Sequence, residues 1–196
     1  MRILSIAITL TEFLMVGCSS VDPTIEIKQL AASGDVMNAK LKFKALVEKE
    51  KDPNLERQYI QFLFEHKQYS DFNRQARTFL AEYPEDKDVK NLKFEFFAKL
   101  ATDAERSKNY SDANYYIVTE LTNPEYAGSS RWEKRQTEIL RKWYEQAKEE
   151  KDEPKQKKVL SEMKNLGFEN LARNLDPEVF KTIEDQKETP ESEEQN

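Results

Sequence analysis

The 196-residue sequence has little of what organises cross-linked, metal-bound or nucleotide-binding proteins: one cysteine, one histidine and four glycines. A single cysteine excludes an intrachain disulfide framework. The sequence has no paired-cysteine metal motif and no glycine-rich phosphate-binding loop, so we expect neither a metal nor a cofactor. A chain of this length buries enough surface to be stable without cross-links. The cysteine, Cys18, therefore needs its own explanation.

The chain also lacks an apolar run long enough to span a bilayer as a helix of about 20 residues. Its most apolar segment is at the amino terminus, where Arg2 precedes the largely apolar residues 3–16, followed by Gly17 and Cys18. A positive start, a short apolar stretch and a small residue before a cleavage point are typical of a secretory signal. We therefore predict that residues 1–17 are a signal peptide and are removed.

The end of this segment, Met15-Val16-Gly17-Cys18, resembles the bacterial lipobox, a tetrapeptide whose cysteine receives diacylglycerol. The resemblance implies a lipoprotein held in the cell envelope by acyl chains such as palmitate on Cys18, with residues 18–23 as a short tether. Ser19 stands where the family's inner-membrane retention signal has aspartate. In a Gram-negative cell this implies the outer membrane, facing the periplasm. The alternatives are a plain signal peptide with an unmodified cysteine, an uncleaved anchor and a misassigned start of the chain.

The scarcity of glycine and the abundance of Lys, Glu, Leu, Ala, Gln and Phe favour helices, and the sequence predicts an all-α fold. Apolar residues recur on one helical stripe from Val89 to Ala104 and from Trp132 to Ala147. A closing helix begins at Asp176, an N-cap residue followed by proline. The other predicted helices span residues 24–33, 35–51, 53–67, 70–83, 85–107, 111–122, 130–151 and 154–166.

A six-residue phrase occurs three times, with an apolar residue in its third and sixth places and Asn or Asp in its fifth. Its last residues are separated by 33 and 41 residues, close to the spacing of about 34 to 47 residues of helical-hairpin repeats. We expect the sixth residue, above all Ala39 and Ala113, to be buried where paired helices cross. The copies are Gly34–Ala39, Lys67–Phe72 and Lys108–Ala113, and the helix-ending prolines after them are Pro53, Pro84 and Pro124.

The phrase resembles the Gly-x-Tyr-x-x-Ala opening of the second helix of the tetratricopeptide repeat, over residues 30–125. The resemblance implies antiparallel helical hairpins stacked as a short solenoid in residues 24–183, with residues 130–187 as a divergent repeat and cap. Tetratricopeptide-like envelope lipoproteins serve outer-membrane protein assembly, secretin piloting and recruitment of cell-wall enzymes. The resemblance therefore implies a membrane-anchored scaffold for an envelope protein or peptide.

Charge is distributed unevenly along the chain. Residues 184–196 hold six acidic residues and one lysine, whereas residues 19–183 hold 29 basic and 30 acidic residues. Phosphate binding needs a net basic face, so no nucleic-acid partner is expected. The segment 184–196 has almost no apolar side chain to bury and is predicted to be a disordered acidic tail.

Few residues invite a catalytic interpretation, and we do not expect an enzyme. His66 ends an apolar stripe, where packing on aromatic residues is more typical than a ligand or general-base role. Carboxylate pairs such as Glu149 and Glu150 lie among lysines, as on solvated helix faces. Aromatic residues are concentrated at and after the third copy of the phrase, Lys108–Ala113, and in the loop that follows. This indicates either packing between repeats or a partner-binding surface. They are Tyr110, Tyr115, Tyr116, Tyr126 and Trp132.

Two functional hypotheses follow from the sequence. The first is an interaction scaffold whose stacked hairpins form a groove for a peptide or a partner's helix. The second is a small-ligand-binding component that serves a transporter. An enclosed apolar pocket would favour the second hypothesis, whereas an open groove would not.

Overall fold

A computed structural model of the chain describes residues 22–124 and 128–187, and every regular element in these ranges is helical. The predicted all-α class is therefore confirmed. The predictions about residues 1–17, Cys18 and Tyr126 lie outside the described residues. The α-helices are α1 (Thr24–Ala32), α2 (Val36–Glu50), α3 (Pro53–Glu65), α4 (Tyr69–Glu82), α5 (Lys87–Arg106), α6 (Tyr110–Tyr116), α7 (Ser129–Glu149), α8 (Glu153–Asn165), α9 (Glu169–Leu175) and α10 (Pro177–Lys187). A π-helical segment, Ile117–Leu121, continues α6.

Apart from shifts of one or two residues at helix ends, the helices differ from the predicted ones in three places. Helix α9 occupies residues for which no helix is predicted, and α6 gives way to the π segment where one continuous α-helix is predicted. Helix α10 continues to Lys187, so residues 184–187, predicted as the start of the tail, are helical. Ile183 packs against the core, and Glu184 forms a 2.8 Å ion pair with Arg173. These contacts carry the helix past the predicted boundary.

The described residues fall into two compact units, which divide in sequence between Tyr59 and Ile60. In the first unit, α1 packs against α2 and buries Ile27, Ala39 and Phe43. The Phe43 ring lies 5.4 Å from that of Tyr59. In the second unit, each helix from α4 onward contacts the next one in the chain, and α10 also contacts α8. Packing between sequence neighbours thus builds the second unit.

An apolar cluster among α7, α8, α9 and α10 forms the core at the carboxyl end of the second unit. Burying each large side chain of this kind contributes about 1.5 to 3 kcal/mol to stability. The buried members are Leu140, Trp143, Tyr144, Val159, Leu160, Met163, Ala172 and Phe180.

The repeated phrase marks an inter-helix turn of one geometry. Its first residue has a positive φ in all three copies, 91° at Gly34 and 57° at both Lys67 and Lys108. In each copy the amide of the second residue donates to the carbonyl five residues earlier, at 2.9, 2.8 and 2.8 Å in chain order. This bond satisfies a carbonyl at the end of the first helix. The phrase therefore predicts the end of a helix at a residue with left-handed backbone conformation.

The sixth residue of the phrase is buried in every copy. Ala39, Phe72 and Ala113 are each 0% exposed, which confirms the prediction for the two alanines. The amide of the sixth residue donates to the carbonyl of the second residue in each case, at 2.8 to 3.1 Å. It therefore lies in the first turn of the second helix, directly after the chain reverses.

A fourth turn of this geometry, at Gly167–Ala172, joins α8 to α9. Its first residue has a φ of 83°, the amide of Phe168 donates to the carbonyl of Met163 at 2.8 Å, and its last residue is 0% exposed. The sequence pattern misses this turn because Glu169 stands in the apolar third place and Leu171 in the polar fifth. Backbone geometry, rather than those two side chains, defines the turn.

The predicted pairing of α7 with α8 also turns through a left-handed residue. Lys151 has a φ of 54°, and the amide of Asp152 donates to the carbonyl of Ala147 at 3.0 Å. The Asp152 carboxylate accepts from the amide of Lys155 at 2.9 Å and caps α8. Helix α8 is therefore entered and left through turns of the same kind.

Candidate partner-binding surface

Of the five aromatic residues proposed for partner binding, the four that the structure describes differ widely in exposure. Trp132 is 7% exposed, and the Arg135 guanidinium lies 5.2 Å from its ring centre. Tyr110 is partly buried and packs against the apolar cluster of α7 to α10. Tyr126 lies outside the described residues. Trp132 and Tyr110 are therefore packing residues, and Tyr115 and Tyr116 are left as surface candidates.

Tyr115 and Tyr116, here called the Tyr115 surface, lie in the last turn of α6. Tyr115 is 58% exposed, and its ring meets that of Tyr116 edge to face at 5.6 Å. Tyr116 in turn lies 6.0 Å from the ring of Phe97 on α5. Asp112 and Thr119, three residues before and four after Tyr115, are exposed beside it. An exposed aromatic ring that packs on a partly buried ring and is edged by polar groups has the features of an interface anchor.

The π segment begins directly after this surface. The amide of Thr122 donates to the carbonyl of Ile117, five residues earlier, at 3.1 Å. The wider turn buries both Ile117 and Leu121 completely. This geometry is not visible in the sequence, because residues 111–122 have spacing that fits an ordinary helix.

Glu120, on the π segment, holds α4 and α5 together. Its carboxylate is 13% exposed and lies 2.6 Å from the Lys93 ammonium and 3.5 Å from the Arg77 guanidinium. The Lys93 ammonium also lies 5.7 Å from the ring centre of Phe97, the residue behind Tyr116. Lys93 therefore contacts both Glu120 and Phe97, the ring on which Tyr116 packs.

A second carboxylate, Glu105, joins α5 to α7. It accepts hydrogen bonds from Nε and Nη2 of Arg135 at 3.0 and 2.6 Å and from Lys142 at 2.8 Å. Burial acts to raise the pKa of Glu105, but the hydrogen bonds from Lys142 and Arg135 outweigh it and hold the pKa below its ordinary value. Both carboxylate oxygens of Glu105 thus accept hydrogen bonds from cationic side chains of α7, and the residue has a structural role.

Asn114, next to Tyr115, fixes the orientation of α6 from its buried side. It is 3% exposed, and its Oδ1 accepts from Nε2 of Gln136 on α7 at 3.2 Å. Its Nδ2 donates to Glu162 on α8 at 3.5 Å. A buried amide pair is costly to break because each group would lose a hydrogen bond without gaining water. The helix that carries Tyr115 is therefore held by polar contacts to two neighbours.

His66 is half-buried at the end of α3, with its ring 4.5 Å from that of Phe62. This position agrees with the interpretation that it packs on an aromatic residue. In residues 22–124 and 128–187, no group of three or more His, Cys, Asp or Glu side chains could hold a metal ion.

An open groove of about 590 Å³ lies at the carboxyl end of the second unit. Phe180 is fully buried beneath it, and both Lys164 and Arg173 place a cation over the Phe180 ring, at 5.9 and 5.6 Å. Five of its seven lining residues are of charged types. The lining residues are Lys164, Arg173, Pro177, Phe180, Lys181, Glu184 and Asp185.

Among the helices of the described ranges, none combines the length and the apolar character needed to cross a bilayer. No protein-family model, no curated protein and no solved structure matches the chain.

Proposed function

We propose that this protein is a lipid-anchored scaffold of the cell envelope, built from tetratricopeptide-like hairpins, which binds an envelope protein or peptide. The observation that carries the proposal is the recurrence of one turn, with a positive φ at its first residue and complete burial at its sixth, at four places in the chain. Repeats that pack on their sequence neighbours are typical of binding surfaces rather than catalytic centres. The proposed arrangement is a short solenoid.

The anchor in this proposal is Cys18. The lipobox-like tetrapeptide ends at this residue, and the first helix begins at Thr24, so the tether between lipid and fold is short. In a Gram-negative cell the proposed location is the outer membrane, on its periplasmic side. Outer-membrane protein assembly, secretion and cell-wall machinery are the settings that the resemblance implies.

The binding surface in this proposal is the Tyr115 surface. Its support comes from Phe97 behind Tyr116 and from the amide of Asn114 on the opposite side of α6. A rigid aromatic side chain loses little conformational entropy when a partner covers it, and such residues dominate interface energies. An apolar side chain of a partner helix or peptide fits this surface.

We propose binding rather than catalysis because two carboxylates with little exposure, Glu105 and Glu120, are paired with cations of neighbouring helices. Glu105 and Glu120 are 15% and 13% exposed, and each meets two cations. The hydrogen bonds from Lys142 and Arg135 hold the pKa of Glu105 below its ordinary value, so this carboxylate makes a poor general base. The charged groups therefore support a structural role.

Small-ligand capture for a transporter is the alternative. The groove over Phe180 is open and has five charged side chains in its lining. Small-molecule sites are typically enclosed and mostly apolar. The groove therefore supports the alternative less well than the Tyr115 surface supports the scaffold.

Site-specific photocrosslinking in the native envelope tests the proposal. A benzophenone amino acid would replace Tyr115. In a matched strain it would replace Tyr83, a tyrosine of the second unit that is 38% exposed. We expect a discrete adduct with an envelope protein or peptide at position 115 and none at position 83. Equal labelling at both positions, or none at either, would contradict the proposed surface.

The identified partner then allows an affinity test. Tyr115→Ala should weaken its binding at least tenfold, which corresponds to about 1.4 kcal/mol. Tyr83→Ala should leave the affinity unchanged, and circular dichroism should show that both variants are folded. An unchanged affinity for Tyr115→Ala would assign binding to another part of the protein.

A further inference from the structure

Exposed aliphatic side chains concentrate at one end of the chain. Among the described residues, the large aliphatic side chains on the surface are Ile25, Met37 and Leu41, at 43%, 57% and 56% exposure. All three lie on α1 and α2, whereas the other exposed large hydrophobic residues are tyrosines. Isolated exposed apolar residues are common, but this distribution is confined to the first helical hairpin.

Met37 and Leu41 are four residues apart and therefore lie on one face of α2. This face is opposite the one that buries Ala39 and Phe43. Lys44 lies on the same side of the helix, half exposed and paired with Glu48 at 3.6 Å. The exposed face of α2 is thus apolar at its centre with a lysine beside it.

The hairpin follows directly on the proposed lipid-bearing residue. Cys18 precedes Asp22, where the described chain begins, by four residues. Four extended residues span at most about 14 Å, which is less than the thickness of one leaflet with its headgroups. A lipid on Cys18 would therefore keep α1 and α2 within reach of the membrane surface.

We propose that the Met37–Leu41 face of α2 lies against the bilayer and inserts its two side chains into the interfacial layer. This inference rests on the proposed lipid anchor. Apolar side chains beside lysine are the pattern of helices that lie in the membrane interface, where the ammonium groups remain at headgroup level. The contact would set the orientation of the hairpin on the membrane.

A single fluorophore tests this contact on the full-length protein. Acylation consumes the thiol of Cys18, so an engineered cysteine is the one thiol available for the environment-sensitive dye NBD. Leu41→Cys reports the proposed face, and Lys49→Cys, whose native side chain is 78% exposed on the same helix, is the matched control. The labelled proteins are reconstituted into phosphatidylethanolamine–phosphatidylglycerol vesicles with and without nitroxide-bearing lipids.

We expect the nitroxide lipids to quench the dye at position 41 at least twofold more than the dye at position 49, with a blue-shifted emission only at position 41. Equal quenching at the two positions, in protein that floats with the vesicles, would contradict the contact of α2 with the membrane but not the lipid anchor. A blue shift at position 41 that nitroxides do not quench, and that grows with protein density, would assign the face to a second copy of the chain. A reactive Cys18 thiol in protein that does not float would contradict the lipid anchor and remove the basis of this inference.

Discussion

The hydroxyl group of Tyr144 donates a 2.6 Å hydrogen bond to Oδ2 of Asp176. Tyr144 is 1% exposed in the core of the second unit, and Asp176 lies between α9 and α10. The other carboxylate oxygen of Asp176 accepts from the amide of Val179 at 3.1 Å, which confirms the N-cap predicted at this position. One carboxylate therefore joins α7 to the start of the closing helix.

This pair shifts both pKa values. Burial raises the pKa of Tyr144, and the hydrogen bond to Asp176 raises it further. The same hydrogen bond is the main cause that lowers the pKa of Asp176, assisted by the backbone amides of Val179 and Glu178. Because the pKa of Asp176 is lower in the folded state, its contribution to stability is present above its unfolded pKa of about 3.9. That contribution is lost as the pH falls through the folded pKa.

Tyr144→Phe removes the hydroxyl donor and should lower the free energy of unfolding at pH 7 by about 1.5 to 3 kcal/mol. It should also reduce the stability that is lost on acidification below about pH 5, since the pKa of Asp176 returns toward its unfolded value. Urea denaturation across this pH range measures both effects. Asp185→Asn, at an exposed carboxylate on α10, is the control and should leave the acid profile unchanged. Parallel acid profiles for wild type and Tyr144→Phe would contradict the linkage.

Lys108→Gly tests the left-handed turn between α5 and α6. A side chain at a φ of 57° is strained, so glycine should raise the free energy of unfolding by about 0.5 to 1 kcal/mol. Lys99→Gly, in the interior of α5, should lower stability because glycine disfavours helix. Thermal denaturation of the two variants provides the comparison. If both lowered the melting temperature, the turn geometry at Lys108 would be wrong.

Ala113→Arg tests the buried sixth position of the phrase. Ala113 is 0% exposed, so arginine would place an unpaired charge in a packed crossing and should cost about 3 to 5 kcal/mol of stability. Lys108→Glu, at an exposed site of the same turn, should be nearly neutral. Equal denaturation midpoints for the two variants would argue against this repeat register.

Local signals in the sequence account for most of the helices and for three of the four turns of this geometry. Gly34 is predictable because its backbone requires a positive φ, which glycine adopts readily. Ala113 is predictable because a fully buried position between packed helices requires a small side chain. The turn at Gly167 escapes the pattern because glycine alone satisfies its geometry while Glu169 and Leu171 depart from the three copies of the phrase.

The aromatic candidates were not predictable to the same degree. Trp132, Tyr110 and Tyr115 are all aromatic residues with a polar group. Only tertiary packing decides that the first two are covered while the third is 58% exposed. The support of Tyr115 depends on the contact of Tyr116 with Phe97, from a different helix. Spacing along one helix carries no information about such a neighbour.

Truncation tests where the closing helix ends. Deletion of residues 188–196 should leave the melting temperature unchanged, because this segment has no aromatic or aliphatic side chain to offset the entropy of ordering it. Deletion of residues 183–196 also removes Ile183 from the core and Glu184 from its ion pair with Arg173. The longer deletion should therefore lower the melting temperature. Equal stability after both deletions would place the end of the folded domain at residue 182.

Mass spectrometry of the intact mature protein, purified from bacterial envelopes, tests the central claim of a lipid-anchored envelope protein most directly. The account predicts a chain that begins at Cys18, without residues 1–17, and carries the additional mass of diacylglycerol and an amide-linked acyl chain. A mature protein with an unmodified Cys18 thiol, or one that retains Arg2, would contradict it.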